Sequence, residues 1–172
     1  MSITQSITYR WDGTPLMQSD IVHISIEEEE EEILLEIDAP YYDDPTPKSS
    51  SKSVWGLWEY EVVEVFFVGE DGQYLEAEFG PHGHHLLLWL NAPRTVAKKH
   101  LPVQFTAKIH NRRWQGTAKI SRSILPSKIQ KWNLFSIHGV GPQRQYQCMF
   151  PLQTSQPDFH QPQRFPLYPE NT

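Results

Sequence analysis

At 172 residues the chain is long enough for one sizeable hydrophobic core, and a single domain over residues 1–172 is expected. A net charge of −6 argues against a nucleic-acid partner, which needs a basic face to neutralise phosphates. The lone Cys148 excludes an intramolecular disulfide framework, and 14 prolines with 12% aromatic residues favour short strands over long helices.

In chain order, residues 7–11 read as a strand ended by Asp12, Gly13 and Pro15. Residues 21–26 alternate, with Val22, Ile24 and Ile26 opposed to His23 and Ser25. Residues 33–37 follow the glutamate run 27–32, and the pair reads as a hairpin with its acids in water. Residues 39–53 (APYYDDPTPKSSSKS) form a long loop, a kind of segment that is often functional or mobile. The stretch 55–90 is a three-strand meander. Period-2 alternation puts Trp58, Tyr60, Val62, Glu64, Phe66 and Val68 on one face of its first strand. Tyr74, Glu76 and Glu78 share a face of the second, and residues 80–83 turn into HHLLLWL. Residues 91–102 connect to a hairpin, 103–110 and 114–121, about Asn111 and Arg112. One helical turn at 123–127, strands at 132–138 and 145–150 and a proline-rich tail complete the chain. About nine short strands between turn signals predict an all-β, antiparallel two-sheet β-sandwich. There is no apolar segment after Met1 and no run of 18 apolar residues, so a cytoplasmic protein without a membrane partner is expected.

Glu64 is a carboxylate among apolar neighbours on its own face, a position that costs free energy unless a donor, a cation or a ligand meets it. A second constellation is His82, His84 and His85, with His138 and His160 elsewhere. His-x-His on a strand offers two rings on one face, a metal half-site that Glu78, His138 or His160 could complete. An acid–base enzyme would pair Glu64 or Glu76 with His82 or His84. No nucleophile elbow, phosphate loop or dinucleotide fingerprint is present.

The order of segments resembles the family 9 carbohydrate-binding modules and their family-9-like relatives. The matching segments are WEYEVVEVF from Trp58 to Phe66, the Tyr74 strand ending in the turn at Gly83, and WQGTAKISRSILP from Trp114. Trp132-Asn133-Leu134-Phe135 and the run from Phe159 to Phe165 follow in the same order. The segments LWEYEVVE, QYLE, PHGHH and PDFH are similar to those of a set of small uncharacterised proteins of that type. The resemblance implies a jelly-roll-like sandwich that binds a carbohydrate-like ligand. It implies Trp58 and Phe159 as an aromatic clamp, Glu64 as the carboxylate that holds hydroxyls, and Gln156 in place of an Asn, with Glu76 and Glu78 alongside. The chain departs from the sugar-binding members in carrying Phe as the second aromatic, and Glu78 near a position that is basic there.

The main expectation is therefore a non-catalytic small-ligand binding module that requires no cofactor, with calcium or zinc left open. The rival is a metal-dependent or acid–base enzyme on the His82–His85 turn, with His82, His84, His138 and His160 as ligands. An interaction domain without a small-molecule site is the third reading. An axial Met and His for haem, from Met17 or Met149, is permitted by no specific motif.

Overall fold

The computed structural model describes residues 1–169. In chain order the strands are β1 (Ser2–Ile7), β2 (Tyr9–Arg10), β3 (Val22–Glu28), β4 (Glu32–Pro40), β5 (Val62–Gly69) and β6 (Tyr74–Phe79). They continue as β7 (His85–Ala92), β8 (Thr95–Lys98), β9 (Gln104–His110), β10 (Arg113–Ser121), β11 (Ile129–His138) and β12 (Gln145–Cys148). One sheet has the order β1-β3-β4-β10-β9, the other β2-β12-β11-β5-β6-β7-β8, and every neighbouring pair is antiparallel. This is the expected two-sheet sandwich. Among the described residues, no helix is long and apolar enough to cross a membrane.

The five-stranded sheet largely follows period-2 alternation. Val22, Ile24 and Ile26 of β3, Ile33, Leu35, Ile37 and Ala39 of β4 and Trp114, Ala118 and Ile120 of β10 are buried, while their neighbours in sequence mostly reach solvent. Their partners across the sandwich are Val63, Val65 and Phe67 of β5, Leu75, Ala77 and Phe79 of β6, and Trp132 and Leu134 of β11. Burial of apolar area at about 25 cal/mol per Å² makes this layer the main driving force of the fold.

The seven-stranded sheet differs because its central strands are buried on both faces: every residue of β5 and β6 is buried. The second face carries Val62, Phe66, Val68, Tyr74, Leu86, Leu88, Leu90, Phe135 and Ile137, and irregular chain covers it through Leu57, Leu152, Phe159 and Phe165. The loop 41–61 is held firmly rather than left mobile. Glu61 accepts from the backbone N–H groups of Tyr42 and Asp44, Asp44 accepts from that of Gly139, and Tyr42 stacks on His138 at 3.5 Å.

Three expectations need correction. Trp58 and Tyr60 do not begin β5. Gly56 at φ +82° turns the chain into a one-turn 3-10 helix over Leu57–Glu59, so alternation starts only at Val62. The connection 91–102 contains the edge strand β8, which pairs with β7 across a turn where Arg94 takes φ +59°. Residues 7–11 split into the end of β1 and the short β2, which join different sheets.

Gly116 lies at a tight point of the core: an added Cβ would lie 2.8 Å from the Trp114 ring and 2.9 Å from that of Phe105. Gly116→Ala is expected to lower the unfolding free energy by about 1–3 kcal/mol, through overpacking of two rigid rings. Urea denaturation with an unchanged m-value measures it.

Candidate functional site

The cover over the seven-stranded sheet is incomplete, and the gap is a cleft of 410 Å³, within the usual range for small-ligand sites. Trp55, Trp58, Phe159 and Tyr146 supply aromatic surface, and Leu88, Leu90 and Ile137 supply apolar surface. Glu64, Glu76, Arg94, Asp158 and His160 supply the polar groups.

Local structure fixes each wall. Leu57 anchors the 3-10 turn in the outer core, which leaves Trp58 half-buried beside the cleft and Trp55 51% exposed, with the two indoles edge to face at 5.1 Å. Arg144 clamps this turn by donating to the carbonyl oxygens of Trp58 and Tyr60 and to that of Gly139. Phe159 is stacked on Phe135 at 4.0 Å, which holds its ring, and Tyr146 meets it edge-on. Arg94, in the turn between β7 and β8, pairs with Asp158 of the C-terminal segment at 2.7 Å, closing one rim.

Strand register assembles the floor. Glu64 of β5 lies directly opposite Glu78 of β6, and Glu76 stands two residues along on the same face. Like charges in register are unfavourable, and burial makes them more so. Glu64 is 2% exposed, Glu76 4% and Glu78 0%, and among the described residues the one hydrogen bond open to Glu78 is a proton shared with Glu76. Burial pushes Glu76 up to about 8, with Arg94 pulling the other way. Glu64 and Glu78 are raised well above the usual carboxylate range, first by burial and then by the neighbouring carboxylates. In the absence of a bound cation, this floor holds protons at neutral pH. His160 lies with Nε2 3.9 Å from Glu76 and Nδ1 2.7 Å from the Tyr74 hydroxyl. Burial, aided by Arg94, drives His160 down to about 4, so the ring is neutral.

Of the residues singled out in the sequence, Trp58, Glu64, Glu76 and Phe159 line this one cleft, and Glu78 joins the carboxylate group beneath it. Gln156 does not: it is exposed, and its carbonyl oxygen accepts from Thr154. The four histidines do not form a metal site. His82 and His84 lie in or beside a turn rather than on a strand and border a separate recess with Glu61 and Asp44. His138 is stacked on Tyr42, and His160 stands in the cleft. Among the described residues the only group with metal-ligand spacing is Glu64, Glu76 and Glu78. The pairing of Glu64 or Glu76 with His82 or His84 fails for the same reason. Arg94 and Asp158 were missed, because a pair 64 residues apart leaves no local sequence signal.

The chain is 37% identical over 175 residues to the UPF0462 protein C4orf33 homolog of Mus musculus, covering 96% of this chain and 91% of the relative. It is 35% identical to the UPF0462 protein C4orf33 of Homo sapiens, covering 96% and 87%. The chain belongs to the UPF0462 family. No family model matches it. Among solved structures, this UPF0462 chain superposes with TM-score 0.74 on a proposed carbohydrate-binding protein from Bacteroides uniformis ATCC 8492, at 16% identity over 95% of this chain and 84% of that one. That level of identity bears on the fold. A family 9 carbohydrate-binding module from Caldicellulosiruptor kristjanssonii in complex with cellotriose gives TM-score 0.49 at 11% identity, covering 78% and 67%.

The carboxylate floor has a stability signature. The folded-state pKa of Glu76 lies above its ordinary 4.5, so the folded state holds the extra proton between that value and about 8. Stability is complete below the window and falls as pH rises through it, by up to about 1.4 kcal/mol per pH unit for each proton held. In chelator-treated buffer, thermal melts from about pH 5 to 8 are expected to show this decline, and Glu78→Gln to flatten it and raise the midpoint at pH 8. An undiminished slope in Glu78→Gln would place the pH dependence elsewhere.

Proposed function

We propose that the cleft binds a saccharide without catalysing a reaction on it. Trp58 and Phe159 pack against the C–H faces of the ring, and Glu64 and Glu76 hold its hydroxyls. The observation that carries this reading is that Trp58 and Phe159, distant in sequence, line one cleft whose polar groups include two buried carboxyl groups. Aromatic planes suit the apolar faces of a sugar. A carboxyl group serves its hydroxyls in either state, because the ionised form accepts strongly and the protonated form both donates and accepts. The Arg94–Asp158 pair at the rim adds donors and acceptors without unbalancing charge. The proposed carbohydrate-binding role of the Bacteroides uniformis neighbour agrees with this reading.

Titration calorimetry against mono- and oligosaccharides tests it. One class of sugar is expected to bind, with affinity reduced at least tenfold, about 1.4 kcal/mol, in Trp58→Ala. The thermal midpoint of that variant should fall by only a few degrees, because Trp58 is half-buried and lies in the cover rather than between the sheets. Wild-type affinity in a folded Trp58→Ala protein would exclude the cleft as the binding site.

A further inference from the structure

The three carboxyl groups at the cleft are buried side by side, and among the described residues no guanidinium or ammonium group hydrogen-bonds to any of them. One oxygen each from Glu64, Glu76 and Glu78 lies within 4.8 Å of the other two. Two ligands about 2.4 Å from a shared centre on opposite sides are at most twice that far apart, and calcium takes oxygen ligands at about 2.3–2.6 Å. The second observation is Glu78 itself, fully buried within the group: among the described residues no donor outside the group reaches either oxygen, and a proton shared with Glu76 is the one bond open to it. The neighbouring guanidinium groups bond elsewhere: Arg144 donates to three backbone carbonyl oxygens, and Arg94 pairs with Asp158. His160 is hydrogen-bonded through Nδ1 to the Tyr74 hydroxyl, and its Nε2, 3.9 Å from Glu76, is too far for a hydrogen bond.

We propose that Glu64, Glu76 and Glu78 hold a hard divalent cation of the calcium type at the floor of the cleft, with open coordination positions on the cleft side. The donor set is carboxylate oxygen alone, which suits calcium, manganese or magnesium rather than zinc, and calcium best tolerates an irregular arrangement. Three carboxylates supply three to six oxygens of the six to eight that calcium takes. Glu64 and Glu76 line the cleft and Glu78 stands beside Glu64 outside the lining, so the remaining positions face the cleft. A pair of adjacent ligand hydroxyls could fill them. That last step rests on the saccharide reading, whereas the cation site does not.

The test is calorimetric titration of the chelator-stripped full chain with calcium chloride at about pH 8, without saccharide. One equivalent is expected to bind, at least tenfold more weakly in Glu78→Gln and in Glu64→Gln and unchanged in Glu30→Gln, which alters the exposed acidic run. Both Gln variants relieve like-charge burial and are expected to fold, which thermal melts verify. Absence of binding by the wild type overturns the proposal, as does binding that survives both Gln variants or a preference for zinc over calcium. A saccharide titration run with calcium and again with excess chelator keeps the two readings distinct. Saccharide affinity at least threefold higher with calcium supports the open positions, and equal affinity in both arms removes them while the cleft reading stands.

Discussion

The central pair β5 and β6 is buried on both faces, and this constraint shapes the rest of the molecule. One face is covered by the five-stranded sheet, a regular layer of branched aliphatic side chains. The other has no third sheet to cover it, so loops and the C-terminal segment must do so. Irregular chain carries many backbone polar groups that need partners. Glu61, Asp44, Arg144 and Asn133 supply them. Asn133 alone accepts from the backbone of Leu134 and Phe150 and donates to the Phe150 carbonyl.

A cover built this way does not close completely, and the cleft is where it fails to. The same sheet face that needs covering also bears Glu64, Glu76 and Glu78, three acids that a plain core would not tolerate. Their cost is met in part by protonation, which explains why the raised carboxyl groups and the cleft coincide. Strongly shifted groups in a concave, aromatic-lined site single it out as a candidate functional site. The chain thus carries two kinds of acid. Glu28 and Glu32 of the run 27–32 pair with Arg122 and Lys119, whereas among the described residues no Lys or Arg bonds to the sheet acids Glu64, Glu76 and Glu78.

Trp58 shows how a residue that lines the cleft can be singled out through an incorrect local reading. Alternation placed it on the β5 face with Glu64, yet it reaches the cleft from a 3-10 turn that Gly56 permits. The histidine turn shows the converse. Its spacing suits a half-site on a strand, but Gly83 at φ +87° makes it a turn, and the two rings border another recess. Gln156, which the resemblance puts in place of an Asn, is left in solvent by the backbone of the C-terminal segment.

The sequence by itself determined the two-sheet class, the hairpins β3–β4 and β9–β10 and the β5–β6–β7 meander, because alternation and turn residues are local properties. It also exposed Glu64 as anomalous, since a charge among apolar residues of one strand face is visible without a fold. Only the tertiary structure decided that Glu78 stands opposite Glu64, that Phe159 meets Phe135 and the cleft, and that Arg94 closes the rim on Asp158. Those relations depend on register between strands and on how irregular chain drapes over a sheet. Both are set by the packing of residues far apart in sequence, which no single stretch encodes.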